Sequence, residues 1–226
     1  MALVRSVLVD FDGTACTHDV AEHLMDRFGD QRWHEWDERW VRGEIDTRAA
    51  IRGQVAPFAG RDVGELIAYA VEHCPLDPTF APFVEWSREN DVATTIVSDG
   101  LGLYIQPMLT AAGVEGVPVI TNEWAGGAMA FPNGHPECDW CGTCKMLAVQ
   151  RADGPVAFVG EGHSDRYGAL YADIVFAKDV LVDLCRHDGI PFVPYETFDD
   201  VRAALTVLET LPGAVAPERC PGWHTA

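Results

Sequence analysis

Residues 4–14 read Val-Arg-Ser-Val-Leu-Val-Asp-Phe-Asp-Gly-Thr, an apolar run that stops at two carboxylates and a glycine turn. A short β-branched run bounded in this way has the length and composition of a strand buried on both faces, which belongs in the middle of a parallel sheet. Sheets of that kind present ligands at the carboxyl ends of their strands, so Asp10 is expected at the mouth of a site. Alternation along a strand sends Asp10 and Asp12 to one side and Phe11 into the core. Two carboxylates so close are costly unless a cation or a shared proton relieves them. The alternative, a pair of solvated aspartates in a surface turn, leaves the apolar strand before them and Gly13-Thr14 after them without a purpose.

With 226 residues, 48% of them hydrophobic, the chain can bury a sizeable core as one domain or as one domain with an insert. A formal charge of -19 argues against nucleic acid or an anionic membrane as the partner. The start, Met-Ala-Leu-Val-Arg-Ser, lacks the pattern of a secretory leader, and no apolar stretch reaches the length of a membrane span. The expectation is a cytoplasmic protein. Its 7 cysteines are odd in number and scattered except for one group, which suits reduced thiols better than a disulfide framework.

From Asp19 to about His73 the apolar spacing turns helical: Val20, Leu24 and Phe28, then Trp33, Trp36 and Trp40, then Ile51, Val55 and Phe58, then Val63, Leu66, Ile67 and Ala70. Four helices with breaks at Gly29, Gly43 and Gly60 are expected, the tryptophans packing between them. A helix through Glu89 precedes a second buried strand at 92–97, which ends at Ser98-Asp99-Gly100. A helix at 101–112, a strand at 117–122 and a hairpin or extended loop over 123–136 follow. Further strands are read at 155–159, 173–177 and 192–195, with helices at 169–172, 180–187 and from 198 to about 211. The alternation implies a doubly wound α/β core.

His135, Cys138, Cys141 and Cys144 fall in one short segment before Lys145. Their types and spacings could hold zinc, although structural zinc sites generally pair two knuckles across a longer loop, and reduced thiols are the alternative. His163 is a loop histidine near the expected site, with solvation or packing as its alternative role.

Asp10-Phe11-Asp12-Gly13-Thr14, Ser98 at a strand end, Lys145 at a helix start and Glu161 with Asp165 after the strand at 155–159 resemble, in that order, the four motifs of the haloacid dehalogenase superfamily of phosphatases. The resemblance implies a Rossmann-like parallel-sheet core made of residues 1–14 and 78–226, and a helical cap of residues 15–77 inserted after the first strand. It implies that Asp10 is the nucleophile of an aspartyl-phosphate intermediate and Asp12 the general acid and base. Ser98 and Lys145 would hold the phosphoryl group, with Asp99 and Gly100 beside it. Mg2+ would join Asp10, Asp12, Glu161 and Asp165, although the superfamily carries Asp where this chain has Glu161. Asp19 and Arg52 resemble the positions at which phosphoserine phosphatases hold the substrate amine and carboxylate. An N-cap and a surface charge are the plain alternatives. The cysteine-rich loop with its lysine, together with the C-terminal stretch, resembles the methionine-salvage phosphatases of 2-hydroxy-3-keto-5-methylthiopentenyl-1-phosphate. The expected partner is a small phosphate ester. A catalytically weakened protein that binds phosphorylated ligands is the alternative of another class, motivated by Glu161.

Overall fold

A computed structural model describes residues 3–125 and 127–215. The apolar run becomes β1 (Ser6–Val9), buried along its whole length. It lies at the centre of a seven-stranded sheet in the order β4-β3-β2-β1-β5-β6-β7. The strands flanking it, β2 (Ala93–Leu101) and β5 (Val156–Gly160), pair with it in parallel, Val9 facing Ile96 on one side and Val159 on the other. Outward from these lie β3 (Val119–Ala125) on one side, and β6 (Ile174–Ala177) and β7 (Phe192–Pro194) on the other, all parallel. Only β4 (Ala128–Ala130) runs antiparallel, closing the hairpin expected after the third strand. The carboxyl ends of β1, β2 and β5 therefore meet at one edge.

Between β1 and β2 the chain forms α1 (Val20–Phe28), α2 (Trp33–Val41), α3 (Thr47–Val55) and α4 (Val63–His73). Aspartates cap three of them: Asp19 accepts from the Glu22 amide, Asp46 from Ala49 and Asp62 from Gly64, each satisfying an amide the helix start leaves unpaired. Gly43 and Gly60 sit at φ +70 and +81, a backbone that favours glycine, the first just past the end of α2 and the second in the turn between the 3-10 helix Ala56–Phe58 and α4. Gly53 lets the Trp36 ring lie directly on α3, where a β-carbon would collide with it. The two ends of this segment meet at an antiparallel bridge between Cys16 and Leu76, tightened by the Asp77 amide donating to the Ala15 carbonyl at 2.9 Å.

The sheet is covered on both faces. One core holds Val7, Val9, Ile96 and Phe176 with α5 (Phe80–Glu89), α6 (Gly102–Ala111) and α10 (Phe198–Val207). The other holds Leu8, Val97, Phe158 and Val175 with α7 (Lys145–Arg151), α8 (Arg166–Tyr171) and α9 (Asp179–Asp188). Several boundaries differ from the sequence expectation; β3, for one, covers Val119–Ala125 rather than 117–122. β2 runs on to Leu101 because a register shift between Val97 and Leu101 keeps it paired to β3. α8 starts at Arg166, continuing a turn of 3-10 helix over His163–Asp165. α10 stops at Val207 because Leu208 turns to extended backbone. Cys220 lies outside the described residues. Among the described residues no helix is long and apolar enough to cross a membrane.

Candidate active site

The chain leaves β1 in a tight turn, Phe11–Ala15, in which Gly13 takes φ +69. Phe11 is fully buried, while Asp10 and Asp12 both line a cleft between the sheet edge and the inserted helices. The Asp10 amide donates to the Val159 carbonyl at 2.9 Å, so the backbone at this carboxylate is fixed by the neighbouring strand.

Lys145, the first residue of α7, is buried, with its ammonium at 2.6 Å from Asp10 Oδ1, 2.6 Å from Asp165 Oδ1 and 2.9 Å from Ser164 Oγ. Burial alone would discharge it, but Asp10, Asp165 and Asp99 more than offset that and keep it a cation. Asp165 is fully buried; its Oδ2 accepts from the Glu161 and Gly162 amides at 2.9 Å each. Both its oxygens are thus engaged, one by the lysine and one by the loop after β5. It braces Lys145 and that loop from behind the cleft.

Asp12 is held at several points. Its Oδ1 accepts from the Val20 amide at 3.0 Å, Ser98 Oγ donates to Oδ2 at 3.3 Å, and the Tyr104 hydroxyl lies 3.1 and 3.0 Å from the two oxygens. Ser98 Oγ in turn accepts from the Gly100 amide at 2.8 Å. The Asp99 carboxylate faces the cysteine-rich loop, accepting from the Thr143 amide at 2.6 Å, and Asn122 completes the tie by donating to the Asp99 carbonyl at 2.6 Å. The structure thus brings Asp10, Asp12, Ser98, Asp99, Gly100, Lys145, Glu161 and Asp165 to one edge of the sheet.

Glu161 lies against the Asp10–Asp12 turn, its carboxyl within 3.2 Å of where a β-carbon on Gly13 would stand. Burial, with the charges of Asp165, Asp10 and Asp19, pushes that carboxyl up to about 8. Burial and Asp165 raise Asp10 against the pull of Lys145, and burial with Asp19 and Asp10 raises Asp12 well above the usual carboxylate range. Carboxylates thus outnumber the one buried ammonium, an imbalance that a bound cation relieves. Oxygen donors of this kind suit a hard divalent ion, and Mg2+ commonly needs only one or two carboxylates, with water and substrate phosphate completing its shell. The residues present fit it.

Asp19 caps α1 and also faces the cleft, with burial the main cause of its raised carboxyl. Arg52 stands outside the cleft lining, exposed, its guanidinium 4.8 Å from the centre of the Phe131 ring. Arg48, one turn earlier on α3, was not singled out by the sequence pattern. Its Nε donates to the Cys141 carbonyl at 2.8 Å and its Nη2 to the Cys138 carbonyl at 3.2 Å, clamping the cysteine-rich loop to the inserted helices. Cys144 caps α7, its Sγ accepting from the Leu147 amide. Among the described residues no group of three or more His, Cys, Asp or Glu side chains is arranged to hold a metal, so zinc at His135, Cys138, Cys141 and Cys144 gains no support. Tyr104 is the other residue the sequence did not single out; a tyrosine on the first turn of the helix after Ser98 was its only trace. His163 is exposed, edge-on to Trp40 at 5.9 Å. The rest of the cleft wall, from α1, α2 and α3, combines Met25, Trp33, Ile51 and Val55 with the carboxylates of Glu22 and Asp37.

The family described as haloacid dehalogenase-like hydrolase matches residues 7–169. Two curated relatives named 2-hydroxy-3-keto-5-methylthiopentenyl-1-phosphate phosphatase, from Bacillus cereus (strain B4264) and Bacillus anthracis (strain CDC 684 / NRRL 3495), are each 26% identical. The first covers 89% of this chain and 96% of the relative, the second 88% and 94%. Among solved structures, a phospho-aspartyl intermediate analogue of phosphoserine phosphatase superposes with a TM-score of 0.70 at 12% identity, covering 91% of this chain and 99% of that one. A HAD family hydrolase, t0658 from Salmonella enterica, gives 0.71 at 16% identity, over 92% and 73% of the two chains. These likenesses are of fold.

Proposed function

The chain belongs to the haloacid dehalogenase-like hydrolases, and on that premise we propose that it is a magnesium-dependent phosphatase of a small phosphomonoester that works through an aspartyl-phosphate. The observation that carries this reading is the ion-paired set in which Lys145 spans Asp10 and Asp165 at 2.6 Å each, with Asp12 beside it on the same turn. Asp10, held by the lysine at Oδ1, offers Oδ2 to phosphorus; Asp12 gives its proton to the leaving oxygen and then takes one from water. Ser98, the amides after it and Lys145 receive the charge of the transferring group, so positioning and neutralisation supply most of the rate. Asp10, the Asp12 carbonyl and Glu161 would hold Mg2+, with Asp165 bracing them; the ion supplies positive charge to the phosphoryl oxygens when bound. Residues 15–77 serve as the cap, keeping bulk water from the reacting groups.

The relatives' names point to 2-hydroxy-3-keto-5-methylthiopentenyl-1-phosphate as the substrate, and the cleft wall supports that over phosphoserine. Phosphoserine brings a carboxylate; among the described residues the cleft wall carries no Arg, Lys or His, and Lys145 is already engaged by Asp10 and Asp165. An uncharged leaving group with an apolar end suits Met25, Trp33, Ile51 and Val55 better. The second reading, a weakened protein that binds phosphorylated ligands, rests on Glu161 reaching one methylene further than aspartate into a metal shell that tolerates little distortion. Phosphate release from these two esters and a panel of others, with Mg2+ and with chelator, for the wild type and Asp10→Asn, tests both. Mg2+-dependent release that falls at least about 10³-fold in the variant supports the phosphatase. No release from any ester turns the assignment to the binding protein.

A further inference from the structure

Asp12 has two oxygens in unlike surroundings. Oδ1 accepts from the Val20 amide at 3.0 Å, a group that only donates, and lies 3.1 Å from the Tyr104 hydroxyl. Oδ2 faces two hydroxyls, those of Ser98 at 3.3 Å and Tyr104 at 3.0 Å, each able to turn from donor to acceptor. The Tyr104 hydroxyl thus bridges both oxygens, while Ser98 meets Oδ2 alone, the oxygen on its side of the cleft. Tyr104 is fully buried and stands behind the carboxyl, away from the cleft lining, its ring packed 6.2 Å from Phe11 on the same turn. Gly100 makes the approach possible, since a β-carbon there would overlap both the Tyr104 hydroxyl and Asp12 Oδ2.

We propose that Tyr104 is a positioning residue for Asp12: its hydroxyl, bridging both carboxyl oxygens and acting with the Val20 amide, fixes the carboxyl so that its Oδ2 edge is presented to the leaving oxygen. The inference rests on the phosphatase reading and goes beyond it by naming a residue that acts without touching substrate. During P–O cleavage the proton passes from Asp12 Oδ2 to the departing oxygen and the Tyr104 hydroxyl donates to the carboxylate left behind. Its effect must accordingly scale with how much the leaving oxygen needs a proton.

The experiment compares kcat/KM of the wild type and Tyr104→Phe on an alkyl phosphate and on p-nitrophenyl phosphate, whose phenolate departs without protonation. The expected result is a fall of about 10- to 100-fold on the alkyl ester against less than about 3-fold on the aryl ester. Equal falls on both esters would mean a structural role only, and unchanged rates on both would mean no role; either overturns the proposal. A wild type inert to both esters removes the phosphatase reading, and this inference with it, and is told apart by needing no variant. If Tyr104→Phe loses its fold by circular dichroism, 3-fluorotyrosine at the same position keeps shape and hydroxyl. Its stronger donation to the carboxylate left behind should speed the alkyl ester selectively, and an unselective effect counts against the proposal.

Discussion

At the scale of single residues, the site is built by engaging its polar atoms with one another at close range. Gly100 shows the tightness: it is glycine because Asp12 and Tyr104 occupy the space a side chain would take. Gly100→Ala is expected to lower kcat/KM by about 100-fold, the cost of moving a reacting group by roughly an ångström, with the circular dichroism spectrum unchanged. Activity within a few-fold of wild type would show that Asp12 has room to spare. The pairing of Asp10 and Asp12 at one cleft was legible in the sequence because alternation along an extended chain puts both carboxylates on one side. Tyr104 was not, because the phenol meets Asp12 across 92 positions of chain and no local period records such a meeting.

At the scale of elements, the four inserted helices could be read from apolar spacing, and aspartate caps mark the starts of three of them. What spacing could not say is which arginine of α3 does what. Arg48 and Arg52 are one turn apart, yet Arg48 grips the cysteine-rich loop while Arg52 lies exposed over Phe131. Arg48 also pairs with Asp139 at 2.9 Å, but that carboxylate is fully exposed and Arg48 only 16%, so water screens the pair and the carbonyl contacts dominate. Asp139→Ala should therefore cost under about 0.5 kcal/mol in urea unfolding, whereas Arg48→Ala should cost about 1–3 kcal/mol through its lost charge-assisted bonds to the Cys138 and Cys141 carbonyls. Equal costs would mean that the ion pair, not the carbonyls, joins the two elements.

At the scale of the whole molecule, the fold gathers carboxylates at the end of its central strands and keeps them at an electrostatic cost. Glu161 is raised to about 8 from 4.5, so the folded protein retains a proton that the unfolded chain has lost over that interval. Binding more protons when folded means that stability falls as pH rises from about 4.5 to about 8, and the raised Asp10, Asp12 and Asp19 act in the same direction. In chelator the melting temperature is expected to drop between pH 5 and pH 8, and added Mg2+ to raise it more at pH 8 than at pH 5, where protons compete for the same oxygens. A Mg2+ shift of the same size at both pH values would remove the carboxylate cluster as its cause. The doubly wound core could be read from the alternation of strands and helices. The antiparallel β4 was legible only as a hairpin or loop, because a three-residue strand carries too little pattern to separate the two. One further consequence follows from the bridge between Cys16 and Leu76. The chain enters and leaves the intervening segment there as two neighbouring stretches of backbone, a junction that does not depend on the segment's length or composition. A lineage can thus rewrite what its members recognise while inheriting their chemistry unaltered, so that selection acts on the two as separable traits.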